Sequence, residues 1–309
     1  MELRTLRYFL EIAREGNMTR AAQRLYLSQP ALSRQMKGLE DELGRTLFIR
    51  HSFHIELTQE GMLLRKRAED ILGMVDKTKA EFRDLDGTVG GEVFLGCAES
   101  EGMKRVAQVM AQVKTAHPGV RFHLKSGNTE DLTGDLDKGL LDLAVIAQPV
   151  EQAKYHFLPI PLADVWGAVL PREHPLARKR RLTARDLEGE ALIVSRQGML
   201  QDYPKLFGER QEKLNIAATF NLPYNGSVLV QAGLGIMLCF EGLIDTGEGS
   251  GLCFRPLWPR LESEGNVIWK KRQVFTPAAS ALLEALKTSF GPADSAGAPP
   301  ARPAVRGGG

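Results

Sequence analysis

The chain has 309 residues, of which 43% are hydrophobic and 25% charged. Those proportions exclude a wholly disordered, collagen-like or low-complexity protein, and they suit about two domains with a core of useful size. The net charge of +2 is uneven, since residues 1–67 hold 12 Lys+Arg against 8 Asp+Glu and the remainder 28 against 30. A basic head on a near-neutral body hints at nucleic acid, although a solvated basic surface explains the charge as well.

The opening MELRTLRYFL lacks the basic-then-apolar order of a secretory signal. The most apolar run, Ser227 to Phe240, is short for a membrane span and carries Gln231 in its middle. Cys97, Cys239 and Cys253 have no metal-like spacing. An odd, scattered set suits reduced thiols. A cytoplasmic protein with no membrane contact is expected.

The first ninety residues read as helices. Leu3 to Glu15 puts Leu6, Phe9, Leu10 and Ala13 on one face, and Gly16 is a natural stop. A short second helix is opened by Asn17 or Thr19 and carries Ala21, Ala22 and Leu25 inward. Tyr26-Leu27 turns. Ser28 then caps a third helix, with Pro30 in its first turn. That helix is expected to bury Leu32, Met36, Leu39 and Leu43, to show Gln29, Ser33, Arg34 and Lys37, and to end at Gly44. Two short helices, a tight turn and a polar face on the second meet the needs of a helix-turn-helix. On spacing alone a plain helical hairpin does equally well.

The residues carry more than spacing. Thr19 to Arg50, with its Ala-Ala pair, Ser-Gln-Pro-Ala-Leu-Ser, Leu-Glu and Leu-Gly-x-x-Leu-Phe-x-Arg, resembles the winged helix-turn-helix of LysR-type transcriptional regulators. Leu57-Thr-x-x-Gly61 continues the match, which extends more loosely to about residue 290. The resemblance implies DNA contacts from Thr19, Arg20, Ser28, Gln29, Pro30, Ser33, Arg34, Lys37 and, on a short wing, Arg50. His51 and His54 also lie on that wing, where simple surface residues are the plainer reading.

Leu57, Gly61, Leu64, Ala68, Ile71, Val75, Thr78, Phe82 and Leu85 follow in steps of 4 and 3. This heptad seam must pack on its own domain or on a partner chain. The resemblance favours the partner, which makes Leu64, Ala68, Ile71, Val75 and Phe82 dimerisation residues, with small Gly61 and Ala68 allowing close approach. Asp86 to Gly91 has three glycines in six residues and reads as a hinge.

Beyond the hinge the period changes. Val93–Cys97, Val120–Lys125 and Leu143–Ala147 read as strands, with helices from Met103 and around Leu132 between them. That order implies a parallel sheet. A second unit begins near Ala163, with strands at Trp166–Leu170, Leu192–Ser195 and Ala217–Phe220 and a helix from Gly226 to Gly233. The chain returns through Val267–Trp269 and a last helix, Pro277 to Phe290. Together with "HPLA" (174–177) and "VQAGLGI" (230–236), this resembles the two-subdomain, periplasmic-binding-protein-like effector domain of the family.

The expected architecture is α+β. It comprises a winged helix-turn-helix (1–58, its motif at 18–37), a linker helix and hinge (59–91), and an α/β effector domain (92–291). Within the latter, subdomain I covers 92–162 and 266–291 and subdomain II covers 163–265. An Ala/Pro/Gly-rich tail, 292–309, is expected to be disordered.

No GxSxG, GxxxxGK[ST] or HExxH motif is present, and the six histidines are dispersed. No catalytic residue, metal ligand or cofactor is expected. Ligand sites in α/β folds lie at the carboxyl ends of strands. With the resemblance, that makes Ser100, Asn128, Gln148, Ser195, Arg196 and Asn221 the candidate effector residues. Glu99 and Glu101 depart from the small polar residues common there and oppose a purely anionic ligand, whereas Arg196 favours one. A small organic acid or an amphoteric, amino-acid-like effector is expected.

The reading is a regulator that binds double-stranded DNA at an interrupted inverted repeat as a dimer or tetramer. A small molecule controls it, with RNA polymerase as a further contact. Its rivals are a solute-binding receptor, which needs export, and an enzyme acting in the cleft, which needs catalytic motifs.

Overall fold

The computed structural model describes residues 1–51, 54–83, 89–147, 150–151 and 153–291, without the side chains of residues 80, 81 and 83. Gln148, Leu85, most of the expected hinge and the expected tail lie outside the described residues.

The head consists of α1 (Leu3–Glu15), α2 (Met18–Arg24), α3 (Gln29–Leu43), a hairpin of β1 (Phe48–Arg50) and β2 (Ile55–Leu57), and the long α4 (Gln59–Arg83). Local chemistry sets the helix ends. Gly16 and Gly44 adopt φ of 57° and 63°, a left-handed stop that costs glycine little. Asn17, not Thr19, caps α2, accepting from the Thr19 and Arg20 amides at 3.0 and 3.1 Å. Ser28 caps α3. Leu6, Phe9, Ile12, Ala21, Ala22, Leu32, Met36 and Leu39 close over one core. Each large side chain there contributes about 1.5–3 kcal/mol by leaving water. Leu43, expected inside, is 40% exposed because the last turn of α3 runs past that core.

The seam on α4 divides. Gly61 lies so close to β1 that a Cβ would stand 2.2 Å from the Leu47 carbonyl oxygen. Ala68 is fully buried in the head's own core, with Leu72 beside it and Leu64 packed against it. The expectation that Ala68 serves a partner chain is therefore corrected, since its surface is already covered within the subunit, whereas Leu64 is only partly covered. Small residues here admit the chain's own backbone. Ile71 and Phe82 are exposed, at 37% and 72%, and Val75 is half-buried.

In its second half α4 is fastened to the body. Buried Lys77 donates to Asp142 Oδ1 at 2.7 Å and to the Gly139 carbonyl at 2.9 Å. The other Asp142 oxygen accepts the Phe94 amide at 2.8 Å. Lys138 pairs with Asp70 at 2.8 Å.

The body contains β3 (Gly91–Cys97), α5 (Met103–Ala116), β4 (Val120–Ser126), α6 (Thr129–Asp137), β5 (Leu143–Ile146) and β6 (Tyr155–Pro171). It continues with β7 (Leu182–Thr183), β8 (Ala191–Ser195), α7 (Arg196–Gln201), α8 (Tyr203–Phe207), β9 (Asn215–Phe220) and α9 (Pro223–Gln231). It closes with β10 (Ile236–Phe240), β11 (Leu252–Trp258), β12 (Glu262–Lys270) and α10 (Pro277–Phe290). The strand order is β4-β3-β5-β12-β6-β10-β8-β9, with β11 on β6 and β7 on β11. β3 runs parallel to β4 and β5, as the β-α-β-α-β pattern requires.

The first part of β6 pairs antiparallel with β12 and its second part with β10 and β11. β6 and β12 are thus the two crossings between the units, with a register irregularity between Glu264 and Asn266. Each unit buries its own cluster, around Val93, Leu95, Val106 and Leu282 in the first and Leu170, Leu192, Val194 and Leu238 in the second.

Candidate functional site

Two regions gather the polar side chains expected to be functional. The first is on the head. Leu32, Met36 and Leu39 anchor one side of α3, leaving Gln29, Pro30, Arg34 and Lys37 exposed and Ser33 half-buried on the other. Arg34 and Lys37 make no ion pair among the described residues. Thr19 and Arg20 are exposed at the start of α2, where Arg20 donates to the Glu15 carbonyl at 2.5 Å and Arg24 pairs with Glu15 at 2.9 Å. Arg50 stands 3.8 Å from Glu40. Exposed pairs of this kind contribute little and exchange readily. Lys37, Arg45 and Arg50 border one shallow hollow between α3 and the hairpin.

Two features here escaped the sequence reading. Tyr26 sits at φ 55° in the turn before α3, 96% exposed. On the wing, the His51 and His54 rings stack 4.3 Å apart, and His54 Nε2 lies 2.9 Å from Glu56. The His54 hydrogen bond leads in holding the Glu56 carboxyl below its usual range, with further help from both imidazole charges. His51, His54 and Glu56 offer ligand atoms within 4.8 Å of one another, the one such metal-capable set among the described residues. Their exposed ion pairing accounts for the arrangement without an ion.

The second region is a cleft at the carboxyl ends of the strands. An inner hollow of about 480 Å³, partly open to solvent, is walled by Glu99, Trp166, Phe220, Cys239, Phe240 and Leu243. An outer one of about 720 Å³ is lined by Asn128, Ser195, Arg196, Gln197, Thr219 and Asn221. Ser195, Gln197, Phe220 and Asn221 border both. Four of the six expected effector residues therefore meet here, namely Asn128, Ser195, Arg196 and Asn221. Asn128 and Ser195 also cap α6 and α7.

Ser100 is a correction. It is 6% exposed, and its hydroxyl donates to Asp164 at 2.6 Å while accepting the Gly102 amide at 2.9 Å. Asp164 also accepts the Glu101 amide at 2.8 Å. Burial raises the Asp164 carboxyl above its usual range against the pull of these bonds. Ser100 pins the start of α5 to the crossing strand β6 and has no group left for a ligand.

The aromatic wall is held from behind. Trp166 Nε1 donates to Ser263 Oγ at 3.0 Å, and Ser263 donates to Asp202 at 3.0 Å. Tyr203 meets the indole edge-on at 5.2 Å, and Phe240 lies 4.3 Å away. Both Trp166 and Ser263 lie on crossing strands, so the wall sits at the junction of the two units. Burial pushes the Cys239 thiol up to about 12 and raises the Glu99 carboxyl.

Residues 3–62 match the family model "Bacterial regulatory helix-turn-helix protein, lysR family", and residues 86–291 match "LysR substrate binding domain". The chain belongs to the LysR family of bacterial transcriptional regulators. LysR-family regulators bind DNA through the head, respond to small-molecule effectors through the body, and form oligomers. The uncharacterized HTH-type transcriptional regulator YybE of Bacillus subtilis (strain 168) is 28% identical over 94% of this chain and 99% of its own length. The hydrogen peroxide-inducible genes activator of Pectobacterium carotovorum subsp. carotovorum is 32% identical over 84% of this chain and 86% of its own. Among solved folds, the LysR family regulator CbnR superposes with a TM-score of 0.74 at 21% identity, covering 94% of this chain and 99% of that one. CbnR complexed with its target DNA gives 0.73 at 22% identity, covering 94% and 100%. No described helix of this LysR-family chain is long and apolar enough to cross a membrane.

Proposed function

We propose that α3 enters the major groove, with Gln29, Ser33 and Arg34 toward base edges. Thr19, Arg20, Ser28, Pro30, Lys37 and Arg50 then meet the backbone. Two heads, joined through the exposed half of α4, face an interrupted inverted repeat. A small molecule in the cleft, touching Asn128, Ser195, Arg196 and Asn221, shifts the balance between arrangements of the oligomer. That shift changes DNA bending or contact with RNA polymerase. The division into head (1–58), linker (59–91) and two subdomains exchanging chain near residues 162 and 266 belongs to this reading. So does residence in the cytoplasm.

The observation that carries it is the free polar face of α3. Arg34 and Lys37 stand exposed, with no ion pair among the described residues, opposite a fully buried stripe, so the face can dock without disturbing the core. The test is gel-shift titration on the native operator. Arg34→Ala is expected to cost about 1–3 kcal/mol of specific binding, with thermal unfolding unchanged. Wild-type affinity in a folded Arg34→Ala, Ser33→Ala variant removes α3 from the readout.

Two other readings fit less well. The peroxide-inducible activator among the relatives raises thiol sensing, which needs an accessible, low-pKa thiolate. Here Cys97, Cys239 and Cys253 are all buried, and burial pushes Cys97 and Cys239 up to about 12. Catalysis in the cleft would have Glu99 as its one carboxylate base, but the described lining offers neither histidine nor lysine beside it. No cofactor other than the effector enters this reading.

A further inference from the structure

Among the described residues, two charged side chains in the cleft have no partner, and they are of opposite sign. Glu99 closes the carboxyl end of β3 and lines the inner hollow, half-buried, with no hydrogen bond or ion pair. The neighbouring acids are answered. Glu101 pairs with Lys104 at 2.6 Å, and Asp164 takes the Ser100 hydroxyl and the Glu101 amide. Arg196 stands exposed in the outer hollow with no acid beside it. The two hollows adjoin, sharing Ser195, Gln197, Phe220 and Asn221.

An unanswered carboxylate drawn out of water is costly, and burial alone already raises the Glu99 carboxyl. Trp166, Phe220 and Phe240 also line the inner hollow, with Trp166 fixed by Ser263 and flanked by Phe240. Aromatic rings attract cations, and a carboxylate in the same hollow adds to a seat for an ammonium group. Gln197 and Asn221 add neutral hydrogen-bonding groups at the shared border. A guanidinium at the outer end suits a carboxylate, which it can grip with two parallel bonds.

We infer that the effector is an amphoteric molecule of the amino-acid class, its ammonium seated between Glu99 and the aromatic wall and its acidic group facing Arg196. This rests on the cleft being the effector site. A simple acid would satisfy Arg196 and leave Glu99 unanswered at the narrow end. A simple amine would do the reverse.

The test is thermal shift and titration calorimetry on the full-length protein. The probes are the twenty amino acids, the amines left when their α-carboxylate is removed, and the acids left when their amino group is removed. One or more amino acids are expected to raise the melting temperature, each more than its matched amine and far more than its matched acid. Glu99→Gln and Arg196→Gln should each weaken that amino acid about tenfold or more, the loss of one charge-assisted contact. A response to acids alone, or to neutral apolar compounds alone, overturns the inference and leaves the cleft as an effector site. Unchanged amino-acid affinity in Glu99→Gln also overturns it. If Glu99→Gln fails to fold, the ranking of the three probe series on the wild-type protein still decides. No response from any series, with operator binding intact, overturns the inference and the cleft reading together.

Discussion

The two halves of α4 follow one heptad rhythm and meet opposite fates. In the first half, Gly61 and Ala68 press against the subunit's own head, so tightly that a Cβ on Gly61 would collide with the Leu47 carbonyl. In the second half, Ile71 and Phe82 remain on the surface, while Lys77 turns the opposite face into the body. A repeat of apolar residues tells that a helix has a partner along that stripe. It does not tell which partner, and here the answer changes after two turns.

Breaking the anchor in the second half should have the largest effect on the folded subunit. Lys77→Met leaves the Asp142 carboxylate buried and partly unanswered, which should cost about 3–5 kcal/mol in denaturant unfolding. Lys77→Met combined with Asp142→Leu should recover part of that loss, because two apolar groups leave no stranded charge. No recovery would show that the Phe94 amide, left without Asp142, matters more than the charge.

In the first half, Gly61→Val should cost about 1–3 kcal/mol through overpacking against backbone, with operator binding falling alongside head stability. A variant with wild-type melting would mean that α4 can lift off β1 freely, and the contrast between the halves would weaken. The smallest effect on the subunit belongs to Ile71→Asp with Val75→Asp. Ile71 is exposed and Val75 half-buried, so the subunit's own stability should change by about 1 kcal/mol at most. Sedimentation mass should drop and operator affinity should fall with it. Unchanged mass would remove the interchain role from this stretch.

The head was readable because its signals are local. Ser28, Gly16, Gly44 and the Ala21-Ala22 pair act within one helical turn of their own positions. The cap of α2 stayed open between Asn17 and Thr19, since either side chain suits that spacing. The body was readable only where elements alternate cleanly, as from β3 to β5. β10 went unseen because Ser227 to Phe240 is apolar through helix, turn and strand alike. The first part of β6 went unseen because Pro159 and Pro161 argue against a strand.

The cleft mixes both cases. Strand ends pointed to Asn128, Ser195, Arg196 and Asn221. Its aromatic wall joins Trp166, Phe220 and Phe240 across the crossing strands, and no short-range pattern announces that. Ser100 had the right residue type at the right strand end, yet burial and Asp164 claimed its hydroxyl. Glu99 stood out only as a departure from expectation, and the structure supplies what sequence lacked, the absence of a partner.

The Asp142 carboxylate has a consequence for how the two ends of the molecule communicate. It joins Lys77 of the linker helix to the Phe94 amide within β3, and Asp142 itself leads directly into β5. Those two strands end at Cys97 and Ile146, and Glu99 and Ala147, just beyond them, line the cleft. The helix from the head is therefore clamped to the middle of β3 and the start of β5, about 17 Å from the cleft residues at about 3.3 Å per residue. A rearrangement at the cleft that shifted either strand along its axis would also shift the carboxylate that holds the linker helix.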